Sequence, residues 1–351
     1  MSSGAPMELL DQPEAAQLTP EPATSLRTSV PASYDKRLMV FAGRGSQELG
    51  GRIAGKLGIS LGNVELKTFS NGEVYCRYLE SIRGADCFIV QSTHAPVNRN
   101  LMELLLMIDA AKGASAHRII AVTPWFGYSR QDKKSAPREP ISARLVAHML
   151  ETAGADRMLT MHLHAGQVQG FFQIPVDHMI ARPMLTQYFL DKTVPEEYVA
   201  VSPDAGRAKL AEKFAGELGV RPAFITKERP EHNIAEAGYV VGDVAGKAAI
   251  LVDDMIDTAG TLREAARVVL ESGAVRVFAV ATHGVFSGPA FERLSGQEFE
   301  EIVVTDTIPL PSHAPDKIKV LSVADILTDS IRSIFTDGSV SQVFGGENQL
   351  F

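Results

Sequence analysis

Cysteine, long apolar runs and clusters of basic residues are all scarce in this sequence. It has only two cysteines, Cys76 and Cys87, and one disulfide would add little to a chain of this size. We therefore expect two reduced thiols. No apolar run approaches membrane-spanning length, and the N-terminus lacks the basic and apolar blocks of a signal peptide. These absences predict a soluble cytoplasmic protein with no membrane partner.

Basic residues occur at most in short pairs, and the formal net charge is −8. This balance argues against a nucleic-acid partner bound through its phosphate backbone. Small anions would have to be held in local pockets instead. The length of 351 residues exceeds the usual size of one hydrophobic core, and an apolar content of 45% is enough to fill two. Two domains are therefore the expectation.

The most informative stretch is residues 249–261, Ala-Ile-Leu-Val-Asp-Asp-Met-Ile-Asp-Thr-Ala-Gly-Thr. It begins as a buried strand and ends in a small, hydroxyl-rich turn before a predicted helix. The backbone N–H groups of such a turn suit a phosphate, and Thr258 and Thr261 add hydroxyl donors. Asp253 and Asp254 beside an anion are costly unless they accept hydrogen bonds from sugar hydroxyls or hold a divalent cation. A sugar phosphate would meet both needs.

An alternative for this stretch is a strand that ends in acids, followed by an N-capped helix, with nothing bound. A lone pair of aspartates would not decide between the two interpretations. The full pattern of residues 249–261 is much more specific. It resembles the 5-phosphoribosyl diphosphate (PRPP) binding motif of phosphoribosyltransferases and PRPP synthases, which implies a site for a ribose 5-phosphate group.

The sequence contains an internal duplication. Residues 49–59 match residues 210–220 position by position, and residues 83–92 parallel residues 245–254. In each half, strand patterns alternate with helical patterns, which predicts an α/β fold with a mostly parallel sheet and ligands beyond the carboxyl ends of the strands. Where the second half has its acid pair, the first half has the sequence at residues 91–98, which lacks these acids. Only the second half is therefore predicted to hold the sugar phosphate.

The predicted domain division follows from this duplication and from composition. Residues 1–36 carry five prolines among small and acidic residues and are predicted to be a disordered tail. The first domain is predicted over residues 37–182 and the second over residues 183–345, because Pro183 precedes a new helical pattern. Residues 346–351 are predicted to be a C-terminal tail. The first domain could hold another substrate or build a subunit interface.

Three further candidates stay open on the residues alone. His162 and His164 are two apart, so on a strand they would share one face, which suits a metal or a polyphosphate, although either could bond backbone groups. Asp204 follows a predicted strand, where it could bind magnesium or cap the next helix. Lys227 and Arg229 are cations in a polar loop long enough to close over a ligand, or a solvated charge run.

Two other segments follow strand-like runs. Residues 69–73, Phe-Ser-Asn-Gly-Glu, offer an aromatic face and an amide, and residues 127–134 offer an Arg-Gln pair. Both could contact a nucleotide base and its phosphates. Taken alone, each looks more like a turn than a binding site.

Taken together, the motifs resemble the ribose-phosphate pyrophosphokinase family, that is PRPP synthases of the phosphate-dependent class, from about residue 37 to residue 344. The motifs that carry the resemblance are Phe-Ser-Asn-Gly-Glu at 69, Gly-Tyr-Ser-Arg-Gln-Asp at 127, Arg-Glu-Pro-Ile-Ser-Ala at 138, Gln-Gly-Phe-Phe at 169, Ser-Pro-Asp at 202, Lys-Glu-Arg-Pro at 227 and Asp-Asp-Met-Ile-Asp-Thr-Ala-Gly-Thr at 253.

The resemblance implies two duplicated phosphoribosyltransferase-like domains, each with a mostly parallel central sheet flanked by helices. It implies a reaction in which ATP donates its β,γ-diphosphoryl group to C1 of ribose 5-phosphate, giving AMP and PRPP for nucleotide, histidine and tryptophan biosynthesis. It also implies Mg²⁺ as cofactor, homo-oligomers that are usually hexamers, phosphate as activator and ADP as inhibitor.

The resemblance implies roles for four groups of residues. Lys227 would be the catalytic lysine, with Arg229 contacting substrate phosphate, and His164 and Asp204 would be associated with magnesium. The ribose 5-phosphate site would be formed by Arg229, Asp253, Asp254, Asp257, Thr258, Ala259, Gly260 and Thr261. The ATP site would be lined by Phe69, Asn71, Gly72, Glu73, Arg130, Gln131 and Asp132, with Phe69 stacking on adenine.

The sequence departs from the family at the presumed cation region. The family usually has an aspartate where this chain has His162, and another where it has Gln173, and hard cations bind more weakly to histidine and amide groups. Arg207 stands where a second glycine is frequent. These changes leave open a non-catalytic homologue that regulates a synthase. A phosphoribosyltransferase that consumes PRPP is the third hypothesis, but the duplication speaks against it.

Overall fold

A computed structural model of the chain describes residues 36–227 and 238–341. The first half runs through β1 (Arg37–Ala42), α1 (Gln47–Leu57), β2 (Val64–Thr68), β3 (Val74–Tyr78), β4 (Ala85–Val90), α2 (Val97–Gly113), β5 (Arg118–Thr123), α3 (Ser142–Ala153), β6 (Arg157–Met161) and β7 (Val176–Met179). The second half runs through α4 (Arg182–Asp191), β8 (Tyr198–Ser202), α5 (Ala208–Leu218), β9 (Pro222–Lys227), β10 (Gly238–Val241), β11 (Ala248–Ile256), α6 (Gly260–Glu271), β12 (Arg276–Gly284), α7 (Ala290–Leu294), β13 (Glu301–Thr305), β14 (Ile318–Leu321) and α8 (Ala324–Phe335).

The two halves share one strand order. In the first half, the strands pair in the parallel order β1-β4-β5-β6-β7. In the second half, the order β8-β11-β12-β13-β14 is likewise parallel. The predicted α/β fold with two related, mostly parallel sheets is therefore confirmed. Parallel strands bring their carboxyl ends to one edge of each sheet, which is where the motif residues lie.

The halves differ in whether one hairpin pairs with the central sheet. In the second half, β9 joins the parallel sheet beside β8, and β10 continues it as an antiparallel edge strand. In the first half, β2 and β3 pair only with each other. Among the described residues, the second sheet therefore has seven strands and the first has five, with a separate two-stranded ribbon.

The duplicated helix pattern has the same ending in both halves. α1 and α5 each have 11 residues and end at a glycine in the left-handed region, Gly58 at φ 75° and Gly219 at φ 76°. In each case the glycine N–H donates back to carbonyls of the last turn, which satisfies groups that the helix leaves without partners. The sequence match between residues 49–59 and 210–220 therefore has a local physical cause.

The hydrophobic residues form three layers of core. One layer packs α2 and α3 on one face of the first sheet, and another packs α6 and α7 on one face of the second sheet. The third lies between the sheets and is shared by helices of both halves. Phe189, Phe214 and Phe278 meet there edge to face, with ring centroids 5.8 to 6.0 Å apart.

Helices from both halves meet in the layer between the sheets. α4 begins at Arg182, beside the predicted domain boundary, and packs against α5, whereas α8 packs against α1. The final helix of the second half, α8, thus packs on the first helix of the first half, α1. Of the predicted tails, residues 1–35 and 346–351 lie outside the described residues, as do residues 342–345 of the predicted second domain.

Two observations bear on the scarcities noted in the sequence. Across residues 36–227 and 238–341, each helix is too short or too polar to cross a membrane. Cys76 in β3 and Cys87 in β4 are both free thiols, and burial raises the pKa of Cys87 to about 12. The expectation of two reduced cysteines is confirmed for this structure.

Candidate functional site

The acid-rich stretch forms a strand, a tight loop and a helix start. β11 extends through Asp253 and Asp254 to Ile256, and α6 begins at Gly260. Between them Ala259 adopts the left-handed conformation, with φ 58°, which costs an alanine on the order of 1 kcal/mol or more. Since the first N–H groups of a helix have no partner within it, the loop presents donors at the positive end of α6.

The loop is held from behind by an arginine. Arg293 Nη1 donates to the carbonyl oxygen of Thr258 over 2.8 Å. A Cβ at Gly260 would lie 3.0 Å from the same nitrogen. A side chain at this position would therefore press on the arginine that holds the loop, which explains why glycine suits it.

This loop and the acid pair line one side of a cavity of about 190 Å³. A second cavity of about 430 Å³ adjoins it, and the two share Arg130, His164 and Arg207. The residues around the smaller cavity are Arg130, His164, Asp204, Arg207 and the segment Asp253, Asp254, Met255, Ile256, Asp257, Thr258, Ala259, Gly260, Thr261 and Leu262. The larger cavity is edged mainly by basic and histidine side chains, including Lys133, His162, His178, Arg182 and Lys209.

Arg207 provides the countercharge for the acid pair. Its Nε lies 3.1 Å from Asp253 Oδ1, and its Nη2 lies 2.9 Å from Asp254 Oδ1. Asp254 is 1% exposed. Burial acts to raise the pKa of Asp254, but the hydrogen bond from His164 and the charge of Arg207 outweigh it and hold that pKa far below its usual value. Asp254 is therefore ionised at neutral pH.

His164 is oriented by the same carboxylate. Its Nδ1 lies 2.7 Å from Asp254 Oδ2. Because an ionised carboxylate can only accept, Nδ1 must carry the proton, and in the neutral ring Nε2 carries a lone pair. A histidine whose N–H donates to a carboxylate is the usual arrangement of a metal-binding histidine.

His162 does not share a strand face with His164, because β6 ends at Met161 and His162 itself has φ 31°. The premise of a shared strand face is therefore wrong, although both histidines border the larger cavity. The ring of His162 turns away to Thr282, with Nδ1 and Oγ1 2.8 Å apart. Burial lowers the pKa of His162 to about 3, so this ring stays neutral.

Two sequence-profile matches cover most of the chain. Residues 38–154 match the N-terminal domain of ribose phosphate pyrophosphokinase. Residues 202–345 match the phosphoribosyl synthetase-associated domain. This chain belongs to the ribose-phosphate pyrophosphokinase family.

Curated relatives support the same family. The ribose-phosphate pyrophosphokinase of Caldanaerobacter subterraneus is 52% identical, over 89% of this chain and 99% of that protein. The ribose-phosphate pyrophosphokinase of Bifidobacterium longum is 51% identical, over 88% of this chain and 93% of that protein. The crystal structure of phosphoribosylpyrophosphate synthetase from Mycobacterium smegmatis superposes with a TM-score of 0.82 at 48% identity, covering 86% of this chain and 100% of that one.

The predicted magnesium residues of the ribose-phosphate pyrophosphokinase pattern lie on one cavity. Asp204 and His164 both border the smaller cavity. Asp204 also caps the 3₁₀ turn Ala205–Arg207 by accepting from the backbone N–H of Arg207 over 3.2 Å. The capping interpretation of Asp204 is therefore confirmed, and its binding of magnesium stays a prediction. Asp254 Oδ1 has a charged neighbour but no aligned hydrogen bond, so it has room for a stronger electrostatic partner.

His164, Asp204 and Asp254 suit a cation that takes most of its ligands from groups outside the protein. Within the described ranges, no group of three or more histidine, cysteine or acidic side chains is arranged to hold a metal ion. Mg²⁺ is commonly bound through one or two carboxylates together with substrate phosphates and waters. Asp177, the acid that follows Gln173, is paired with Arg157 at 2.7 Å and borders neither cavity.

The ATP-site residues of the family pattern are divided between two places. Arg130 borders both cavities and pairs across the halves with Asp257. Asp132 borders the larger cavity and accepts a hydrogen bond from Gln167. Gln131 faces α3, where its Oε1 accepts from Ser142 Oγ over 2.6 Å. The structure therefore brings two of these three side chains to the cavities.

The remaining ATP-site residues, Phe69, Asn71, Gly72 and Glu73, lie in the five-residue turn between β2 and β3. The N–H of Gly72 donates to the carbonyl of Phe69, and Glu73 N–H donates to Asn71 Oδ1. Phe69 is 47% exposed, and none of the five borders either of the two cavities described above. In this structure they form an exposed hairpin tip.

The predicted catalytic lysine and its neighbour lie at the limit of the described structure. Lys227 is the last residue of β9, and its side chain lies outside the described residues. Arg229 also lies outside them, within residues 228–237. Their roles stay predictions.

Sequence reasoning gave too little weight to Arg207 and overlooked a contact between the halves. Trp125, Met255 and Ile308 pack together, which braces the segment leading to Arg130 against the strand that carries the acid pair. Arg207 had one signal, a charged residue directly after Ser-Pro-Asp-Ala-Gly. The packing of Trp125 had none, because its partners come from distant parts of the sequence.

Proposed function

We propose that this protein transfers the β,γ-diphosphoryl group of ATP to the C1 hydroxyl of ribose 5-phosphate, forming PRPP and AMP. The observation that carries the proposal is a single cavity that combines an anion-binding loop at the start of α6 with the acid pair Asp253 and Asp254. Relatives named ribose-phosphate pyrophosphokinase favour this activity over a purely regulatory role.

The two adjoining cavities suggest how the substrates divide. The smaller one fits ribose 5-phosphate, with its phosphate on Thr258, Gly260 and Thr261 and its hydroxyls on Asp253. The larger, more basic one fits the ATP phosphates beside Arg130 and Asp132. The reacting atoms would then meet at the wall that the cavities share.

The chemistry requires positioning and positive charge more than covalent catalysis. The C1 oxygen of the sugar forms a bond to the β-phosphorus and loses its proton, while the bond from the β-phosphorus to the α,β-bridging oxygen breaks and AMP leaves. Arg130 and Arg207 border the shared wall, where charge on the phosphoryl oxygens would be offset. By family resemblance, Lys227 and Arg229 would add charge from the neighbouring loop.

A divalent cation completes the proposal. We assign it to His164 and Asp204, which border the smaller cavity, with Mg²⁺ as the natural ion because hard cations prefer phosphate and carboxylate oxygen. When bound, it would neutralise charge on the transferred diphosphoryl group.

The finer features of the proposal rest on family resemblance. We propose that the protein forms homo-oligomers, by resemblance hexamers, with phosphate as activator and ADP as inhibitor. We also propose two domains, at residues 37–182 and 183–345. Exposed apolar side chains such as Leu145, Leu190 and Tyr239 are compatible with subunit contacts. We also propose a cytoplasmic location, supported by the free thiols.

The test is AMP release from ATP by purified protein with Mg²⁺ and phosphate. We expect release that depends strictly on ribose 5-phosphate, with no AMP when ribose is supplied instead, since ribose has no group for the α6 loop. Calorimetric titration with ribose 5-phosphate checks the sugar site separately. Folded protein that binds the sugar phosphate but releases no AMP would support the regulatory alternative.

A further inference from the structure

Arg207 occupies an unusual position between the two cavities. Its guanidinium contacts Asp253 and Asp254 at 3.1 and 2.9 Å and lies against the ring of His164, with Nη2 2.8 Å from Nδ1 and 3.4 Å from Nε2. These are three groups to which a divalent cation at this site would be drawn. A tethered cation therefore stands among the ligands and countercharges of the ion that the proposed reaction needs.

The contacts of Arg207 with this group are incompletely satisfied. His164 Nδ1 donates to Asp254 Oδ2, so it cannot also accept from Arg207. Asp254 Oδ1, although 2.9 Å from Nη2, has no aligned hydrogen bond and is buried. Arg207 therefore supplies charge to the pair without the full set of hydrogen bonds that a guanidinium can make.

The side chain of Arg207 also has a second position open to it, in the larger cavity. Its side chain is 21% exposed and borders the larger cavity as well as the smaller one. Its backbone is fixed by the 3₁₀ turn that Asp204 caps, so movement would be confined to the side chain. Phosphate oxygens in the larger cavity would offer the guanidinium the bidentate partners it lacks beside Asp254.

We propose that Arg207 is a tethered counter-ion that competes with the divalent cation for Asp253, Asp254 and His164 and gives way when nucleotide phosphates enter the larger cavity. The inference rests on the proposed function in that it takes a divalent cation to belong to this site. Its consequence is that metal alone binds weakly and metal with nucleotide binds well. Arg207 is then a positioning residue that sets the order of binding.

The test measures Mn²⁺ binding to the full chain by electron paramagnetic resonance, without nucleotide. Arg207→Ala is expected to bind Mn²⁺ about tenfold tighter than the wild type, because a like charge within about 4 Å is removed. Arg207→Lys, which keeps the charge but loses the planar fork, is expected to lie between the two. The control is Arg276→Ala, which removes an arginine paired with Glu196 at the opposite end of β12 and should leave Mn²⁺ affinity unchanged.

A second measurement adds a non-hydrolysable ATP analogue. The analogue should tighten Mn²⁺ binding more in the wild type than in Arg207→Ala, because only the wild type has a competitor to displace. Adding His164→Ala to Arg207→Ala should abolish the gain, which locates the ion. Thermal unfolding checks that each variant is folded, and Arg207→Gln carries the same comparison if Arg207→Ala is not.

Equal or weaker Mn²⁺ affinity in folded Arg207→Ala and Arg207→Gln would overturn the inference. The proposed function is judged independently by AMP release from the wild type. Tighter Mn²⁺ binding in the variants without any AMP release would leave the competition intact and remove the catalytic proposal. AMP release by the wild type, together with unchanged Mn²⁺ binding in the variants, would support the catalytic proposal and remove the competition.

Discussion

The corresponding strand ends of the two halves carry different side chains. β4 is followed by Gln91 and Ser92, whereas the same positions of β11 are Asp253 and Asp254. In the first half these side chains are fully buried and bonded to their own surroundings. In the second half they border a cavity. The same scaffold thus has a closed edge in the first half and an edge that borders a cavity in the second half.

The first half closes its edge with a buried ion pair. Glu103 on α2 is 0% exposed and accepts from Arg44 Nε at 2.6 Å and from Gln91 Nε2 at 3.0 Å. Gln91 in turn accepts from the backbone N–H of Gly45 at 3.0 Å. A Cβ at Gly43 would overlap the amide of Gln91, so the glycine leaves the space that Gln91 fills. The amide therefore takes the place that a ligand could have had.

The largest predicted effect comes from breaking the buried network of Glu103, Arg44 and Gln91. Glu103→Ala leaves Arg44 and Gln91 without their acceptor in a buried site, so we expect the free energy of unfolding to fall by about 3–5 kcal/mol. Ribose 5-phosphate affinity of the folded fraction should not change, because Glu103 does not border either cavity. Urea denaturation and calorimetric titration measure the two quantities.

Glu103→Gln serves as the matched control for this substitution. It keeps the shape and one acceptor, so a smaller loss of stability is expected. If Glu103→Ala instead weakened sugar phosphate binding while the fold stayed intact, the division of labour between the halves would be wrong.

The next largest effect comes from changing the acid pair of the second half, Asp253 and Asp254. Asp254→Asn keeps the shape but removes the charge that orients His164 and balances Arg207. We expect AMP release that depends on ribose 5-phosphate to fall on the order of 100-fold, as for other losses of a carboxylate behind a metal-binding histidine. Initial rates at saturating substrates measure the effect.

The matched change in the first half is Ser92→Ala. It removes the hydrogen bond that Ser92 Oγ donates to the Thr307 carbonyl over 2.5 Å and the one that it accepts from the Trp125 N–H over 3.1 Å. Because both partners are left buried, the substitution should cost about 1–3 kcal/mol of stability, with little change in turnover. Equal losses of activity in Asp254→Asn and Ser92→Ala would show that both edges matter alike for the reaction.

The strand, loop and helix of residues 249–261 could be predicted because their signals are local. Buried β-branched and aliphatic residues specify the strand, and small residues followed by helical periodicity specify the turn. The duplication was equally visible, since α1 and α5 repeat the same apolar spacing and end at Gly58 and Gly219. The site in the second half therefore followed from sequence to the level of a cavity and its acids.

What sequence could not supply were the contacts between distant segments. The pairing of Arg130 with Asp257 and the position of Arg207 among three charged or polar groups depend on how the two sheets meet. His162 was placed on a strand by its spacing, but the backbone turns at φ 31° and sends its ring to Thr282. No local pattern encodes that change of direction.

The third prediction concerns the region where the halves meet. Burial lowers the pKa of His178 and of His283 to about 4, from an ordinary 6.5. Both therefore stay neutral in the fold, and His178 Nε2 accepts from the backbone N–H of Leu163. Between pH 6.5 and 4 the unfolded chain binds more protons than the folded one. The contribution of the two histidines to the free energy of unfolding is therefore fully present above pH 6.5 and is lost as the pH decreases. Each histidine contributes about 1.4 kcal/mol per pH unit in that window.

Urea denaturation from pH 7.5 to 4.5 measures this dependence. His178→Gln offers an amide oxygen to Leu163 but cannot titrate, so the slope of stability against pH should decrease by the share of one histidine. Nuclear magnetic resonance titration of the wild type should show His178 and His283 unprotonated at pH 5.5. An unchanged slope in His178→Gln would mean that His178 does not differ in pKa between the folded and unfolded states.

The smallest predicted effect concerns the hairpin that the first half keeps apart from its sheet. Its counterpart β9–β10 is part of the second sheet, so β2–β3 leaves Phe69 exposed at its tip. By family resemblance this ring would stack on adenine, and base stacking on an aromatic side chain contributes about 1–3 kcal/mol. Phe69→Ala should therefore raise the KM for ATP about tenfold, while the KM for ribose 5-phosphate and the stability stay nearly unchanged.

Leu79→Ala is the control for this substitution, because Leu79 is an exposed apolar side chain at the base of the same hairpin. It should change neither KM value. Steady-state kinetics with each substrate varied in turn separate the two variants. Since Phe69 borders neither cavity in this structure, a raised KM for ATP alone would mean that the hairpin tip meets the nucleotide only after the hairpin moves or a second chain completes the site. An unchanged KM would remove Phe69 from the ATP site and leave its ring as part of an ordinary turn.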